Sequence, residues 1–144
     1  TARFGDPGTQ VVLPLLKTDL VDVAFAIAER RLGDISLEWS DDAVVSVVLA
    51  SGGYPSDYKT DLPITGVADA EMVPGVTVFH AGTKLADDGT LLTAGGRVFA
   101  ITAVASTMAE ARQRAYSAVD HISFEGMQYR TDIGLKALQA PEEA

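Results

Sequence analysis

The apolar residues of this chain change their spacing once, between Gly33 and Glu38. Before that point Leu20, Val23, Ala24, Ile27 and Ala28 recur at three- and four-residue steps, the period of an amphipathic helix. After it, AVVSVVLA (residues 43–50) is a β-branched run, apolar on both faces apart from Ser46, and reads as a strand with little solvent contact. The change predicts an α+β protein. A helical opening, bounded near Gly33–Glu38, is followed by a small antiparallel β-rich part with a packed helix.

Local signals refine this outline. Pro14 lacks an N–H and clashes with the preceding turn, so the opening helical stretch divides into a short helix and a second one. Thr18 is expected to cap that second helix, Asp19 to lie in its first turn and Gly33 to stop it. Further on, VTVFHAGTKLA and TLLTAGGRVFAITAVA flank Asp87–Asp88–Gly89 and read as one hairpin, because Asp-Gly supplies the positive dihedrals of a tight turn. Its last strand carries Val98, Ala100 and Thr102 on one face and Phe99, Ile101 and Ala103 on the other. Thr107 and Glu110 form a capping box for a helix from Met108 to about His121, with Met108, Ala111, Ala115, Val119 and Ile122 along one stripe. Phe124 to Gly134 reads as irregular, and the closing PEEA as a frayed end.

Composition then narrows the function classes. At 144 residues and 47% hydrophobic, the chain forms one domain, or one domain with a piece of another. A formal net charge of −9 sets it against nucleic acid and anionic membranes as main partners, while leaving room for a local cationic pocket. The chain has no cysteine, which removes thiol chemistry and fits a reducing cytoplasm. No apolar run reaches the roughly 20 residues of a membrane span. The sequence starts without methionine in a charged bend, so a piece of a longer protein is expected.

That bend, RFGDPG, holds Arg3 and Asp6 among the breakers Gly5, Pro7 and Gly8, and can either present charges to a ligand or simply start a helix. Gly52–Gly53 follows a strand as phosphate loops do, yet no Walker pattern and no helix follow, so a surface loop is the simpler reading. His80 is expected to be a hydrogen-bonded core residue, and His121 a partner for a helix C-terminus. Asp41–Asp42 and Asp87–Asp88 are assigned to turns, and no metal site is assigned.

In combination, RFGDPGTQVVLPLLKTDL, VLASGGYP, PITG, VFHAGTKL, GGRV and FEGMQYRTDIG resemble the C-terminal part of the glycinamide ribonucleotide synthetases, which are ATP-grasp ligases. The resemblance runs in order over nearly the whole chain. It implies that residues 1–33 end the ATP-grasp unit and that residues 34–144 form the family's C-terminal domain. The implied reaction joins glycine to 5-phosphoribosylamine at the expense of ATP, an early step of purine synthesis. The implied cofactors are ATP with Mg2+ (or Mn2+) in the full-length enzyme and none in this fragment, which is not expected to turn over alone. The implied partners are those small molecules and the remainder of the enzyme.

The resemblance also assigns residues. Arg3 matches an arginine that would grip the carboxylate of glycine while that carboxylate attacks the γ-phosphate of ATP; its planar fork suits the task. Asp6 matches the family's aspartate, which either faces an ammonium group or braces the bend. Lys84, Gly95, Gly96 and Arg97 match the substrate-binding positions of the hairpin, where the two cations would clamp the sugar phosphate of phosphoribosylamine. Two positions depart from the family pattern: Thr1 stands where a metal-binding asparagine is expected, and Gly8 where glutamate is usual. These departures favour an alternative, a diverged non-catalytic β-domain that binds a small anion or a protein.

Overall fold

The computed structural model describes residues 3–139; Thr1 and the PEEA end lie outside the described residues. Helix α1 (Thr9–Val12) runs into a 3-10 turn at Leu13–Leu15, as Pro14 demands, and α2 (Leu20–Ala28) follows. Strand β1 (Ala43–Ala50), helix α3 (Val67–Glu71) and strands β2 (Val76–His80), β3 (Thr83–Leu85), β4 (Leu91–Thr93) and β5 (Arg97–Ala105) come next. Helices α4 (Met108–Val119) and α5 (Leu135–Gln139) complete the described chain. The elements are mixed α and antiparallel β, as the period change predicts.

The strands form two sheets. One has the order β1-β5-β2 and the other pairs β3 with β4. The single long hairpin expected from the sequence is therefore broken in the middle. Ala81–Gly82 on one arm and Ala94–Gly96 on the other leave the ladder, so β2 pairs with β5 while β3 and β4 close their own turn. In that turn Gly89 takes φ +84° and the N–H of Thr90 donates to Asp88 Oδ1 at 2.9 Å. Only glycine occupies the left-handed region there, as in three-residue hairpin loops.

Strand β5 lies at the centre of the larger sheet, and this explains why its apolar residues do not alternate. Val45, Val47 and Leu49 of β1 stand opposite Ala103, Ile101 and Phe99 of β5. This face packs on Ala111, Ala115, Ala118 and Val119 of α4, whose small residues let helix and sheet approach closely. Phe99 is fully buried, a placement typically worth about 1.5–3 kcal/mol. The other face is closed as well. Ala100 and Thr102 are buried, Thr102 Oγ1 donates to Ser46 Oγ at 2.8 Å, and α1 also packs against β1 and β5. Val98 is the extra residue of a bulge, since Leu49 faces Phe99 while Ala50 faces Arg97.

Helix ends follow chemistry that the sequence reading located only in part. Asp19, not Thr18, caps α2: its carboxylate accepts from Val21 N at 2.7 Å. The Thr18 hydroxyl instead accepts from Glu38 N at 2.7 Å, so it ties the helical opening to the segment before β1. That tie continues as an antiparallel bridge between Leu16 and Trp39. The stop of α2 is Arg30 at φ +58°, not Gly33. Arg31 N donates to Ala26 O at 2.8 Å and Arg30 N to Ile27 O at 3.1 Å, a Schellman closure without its usual glycine. Helix α4 begins where expected, with Thr107 Oγ1 accepting from Glu110 N. The reciprocal half of the box is not made, because Glu110 turns to Arg114 Nη2 at 2.6 Å. The segment from Phe124 to Gly134 is irregular but anchored, since Arg112 of α4 donates to the carbonyls of Thr131 and Ile133 and Tyr116 to that of Arg130.

Candidate functional site

Of the residues assigned from sequence, Asp6, Gly95, Gly96 and Arg97 meet at the break between the two sheets, whereas Arg3 and Lys84 make other contacts. At this corner the chain leaves β4, passes Ala94–Gly96 and enters β5 at Arg97. Three segments hold it. Ser51, fully buried directly after β1, donates through Oγ to Gly95 O at 2.8 Å and through its N–H to Gly96 O at 2.8 Å. Gly82 N donates to Arg97 O at 2.8 Å, and Ala94 N to Gly82 O at 2.7 Å. The Tyr54 ring lies so close to Gly96 that any Cβ there would run into it. A side chain at Gly96 is therefore excluded by contact, not by dihedral.

Arg97 projects from this corner to the opening bend. Its Nη1 donates to the backbone carbonyl of Asp6 at 2.9 Å, and its Nη2 lies 3.1 Å from Asp6 Oδ2. Asp6 also accepts from Gln10 Nε2 at 3.0 Å, while Gln10 Oε1 is buried with no hydrogen-bond partner among the described residues. The bend and the corner, 91 positions apart in sequence, thus meet through a guanidinium that grips one residue twice. Arg3, nearby in the chain, is exposed and donates through Nη1 to Phe4 O at 2.7 Å. Gly8 is open and exposed at the foot of α1.

Lys84 takes a different partner. It leaves β3 opposite Leu92 and its Nζ sits 2.5 Å from Asp61 Oδ1. Asp61 belongs to the loop after Tyr54, where its N–H donates to Thr93 O at 2.8 Å and its backbone adopts φ +64°. The hydrogen bond from Lys84 first, then one from the Thr60 hydroxyl, holds the Asp61 carboxyl below the usual carboxylate range. The two cations assigned from sequence thus each hold a carboxylate of another segment. Nothing in the local sequence around Asp61 marks it as Lys84's partner; only the loop's return to Thr93 brings the two together.

His80 differs from expectation: it is exposed at the end of β2, hydrogen-bonded to Thr83 Oγ1 at 2.9 Å and edge-on to Phe99. The core expectation fails because His80 is the last residue of β2, past the part of the strand where Val78 is buried. Gly52–Gly53 lies in a surface turn, with a cleft of about 480 Å³ between Gly52, Lys59, Leu62 and Gly126. Among the described residues no group of three or more His, Asp and Glu could hold a metal ion, and Thr1, which stands where the resemblance expects a metal ligand, lies outside them. No helix among them is long and apolar enough to cross a membrane.

Around this framework α2 leaves an apolar face uncovered among the described residues. Leu20, Val21, Ala24, Phe25 and Ala28 line it, with Val21 and Phe25 60% and 58% exposed.

Residues 44–136 match the family model described as phosphoribosylglycinamide synthetase, C domain. A phosphoribosylamine–glycine ligase from Caldanaerobacter subterraneus is 48% identical over 92% of this chain, and the chloroplastic one from Arabidopsis thaliana is 46% identical over 99%. Those alignments cover 31% and 27% of the two relatives, so the chain spans less than a third of their length. The crystal structure of the Thermotoga maritima phosphoribosylamine–glycine ligase superposes with a TM-score of 0.70 at 33% identity, over 90% of this chain and 31% of that one. Fold and sequence agree, and the chain belongs to the phosphoribosylglycinamide synthetase family, in its C-terminal part.

Proposed function

We propose that this chain is the C-terminal part of an ATP-dependent ligase that joins glycine to 5-phosphoribosylamine in purine synthesis, and that it supplies one wall of the substrate site. The observation that carries the proposal is the double contact of Arg97 with Asp6. It unites the two residue sets that the family resemblance assigns to different substrates. Lys84 and Arg97, with the backbone of Gly95 and Gly96, serve the phosphate of phosphoribosylamine; a cation paired with phosphate gives short, charge-assisted hydrogen bonds. Arg3 serves the carboxylate of glycine, and Asp6 braces the bend against the corner. ATP and its magnesium bind to the part of the enzyme outside this chain.

The remainder of the ligase is the partner. The apolar face of α2 suits a surface continued by further chain, and the buried acceptor of Gln10 suits a donor from that side or from substrate. We assign the cytoplasm as compartment on the cysteine-free composition.

The test is Arg97→Ala in the full-length ligase. A charged hydrogen bond is typically worth about 1.5–3 kcal/mol, so kcat/KM for phosphoribosylamine should fall roughly ten- to a hundredfold. The KM for ATP should hold. Unchanged phosphoribosylamine kinetics would remove Arg97 from the site.

A further inference from the structure

We infer that Asp61 is an internal competitor that tunes anion affinity, a carboxylate that occupies Lys84 until a phosphate displaces it. The inference rests on the reading of Lys84 as a phosphate ligand. Three observations carry it. The ion pair is close, 2.5 Å from Lys84 Nζ to Asp61 Oδ1, with about half of each side chain exposed, so an incoming anion reaches the same nitrogen from solvent. Asp61 is held in place by its backbone: its own N–H donates to Thr93 O, and the next N–H, that of Leu62, donates to the Thr93 hydroxyl at 3.1 Å. Thr93 is fully buried at the end of β4, the strand paired with the one that carries Lys84. Finally, the position costs something to maintain, since an L-residue at φ +64° is disfavoured where glycine would be relaxed. Glycine there would keep the turn but lose the carboxylate.

A tethered carboxylate of this kind raises the threshold for every anion alike. A monoanion offers Lys84 little that Asp61 does not already provide, whereas a phosphate dianion with three acceptor oxygens makes a stronger charge-assisted contact. Asp61 therefore lowers the apparent affinity of every anion that uses Lys84 by one common factor, set by the fraction of time the lysine is free, so an anion with a weak contact of its own no longer fills the site at ordinary concentration. Arg97 follows the same pattern with Asp6, but there the backbone carbonyl of Asp6 is gripped too, so that pair also has a bracing role.

The experiment is Asp61→Asn in the full-length ligase, read by competitive inhibition with inorganic phosphate and with ribose 5-phosphate. Asparagine is chosen because it tolerates the left-handed region and keeps the shape of the side chain. An exposed ion pair of this type corresponds to a competition of about two- to fivefold, so both inhibition constants should fall by that factor. Chloride should become a better inhibitor by the same factor, and the melting temperature should scarcely move. Unchanged or weaker binding of both anions overturns the inference, and weaker binding would mean that Asp61 contacts substrate directly. Lys84→Met separates this failure from that of the underlying reading. If Lys84→Met leaves phosphoribosylamine kinetics intact, the phosphate role of Lys84 is wrong. If Lys84→Met raises that KM while Asp61→Asn changes no anion affinity, only the role given to Asp61 is wrong.

Discussion

Replacing Ser51 by alanine deletes one oxygen atom and should cost more than its size suggests. The serine is fully buried, and its Oγ bonds to Gly95 O across 44 positions of sequence at 2.8 Å. The loss has two parts. A neutral hydrogen bond contributes about 0.5–1.5 kcal/mol net, and a buried carbonyl left without a donor adds a desolvation penalty that can bring the total to about 1–3 kcal/mol. Gly95 is only half-buried, so water recovers part of that penalty, and the parallel bond from Ser51 N to Gly96 O survives. We therefore expect about 1–2 kcal/mol, near the lower end of that range. For a domain of this size that is a fall of roughly 3–8 °C in Tm. Urea denaturation followed by circular dichroism should show a lower midpoint with an unchanged slope, because the surface exposed on unfolding is the same. A loss below about 0.3 kcal/mol, within the scatter of ordinary surface substitutions, would refute the reasoning that Ser51 holds the corner.

Arg30→Gly should stabilise the chain by about 1 kcal/mol, since Arg30 closes α2 at φ +58° and glycine relieves the left-handed penalty without touching the two Schellman hydrogen bonds; a lower denaturation midpoint would contradict this. Acid should destabilise the fold. Lys84 lowers the pKa of Asp61, the backbone N–H of Thr90 that of Asp88, and Arg130 that of Asp132, so in each case the native state binds fewer protons than the unfolded chain. Their contribution is complete above the ordinary carboxylate range and is lost as pH falls from about 5 through that range, so thermal scans should show a plateau at neutral pH and a decline below it, and a rising Tm would contradict the sign.

The sequence displayed whatever depends on local chemistry and period. Helix α4 is legible because Thr107 caps it and the alanine stripe has one helical phase. β1 and β5 are legible because β-branched runs of that length have few other uses. Long-range pairing is not legible. The hairpin around Gly89 was right at its tip and wrong at its base, because a glycine such as Gly82 weakens a strand equally whether the strand continues past it or changes sheet. Helix α3 has only five residues between Gly66 and Met72, too few for a period to emerge. The cap of α2 was displaced by one position because Thr18 and Asp19 are both good caps, and Thr18 was needed elsewhere, by Glu38. At the site, the cations could be named from motifs, but their carboxylate partners could not. Asp6 and Asp61 reach Arg97 and Lys84 only through the folded path of the chain.

Strand β5 is covered on both faces and paired on both edges, while Arg97 is its first residue. Segments of a protein open to solvent at different free energies, and a central strand opens close to the limit set by global unfolding. The corner is thus fastened to the part of the molecule that fluctuates least. Its counterparts, the bend at Asp6 and the loop at Asp61, belong to irregular segments that can open at far lower cost. The geometry separates duties over time. The cation on β5 keeps its station, and the Asp6 carboxylate that covers it can come and go around a fixed point.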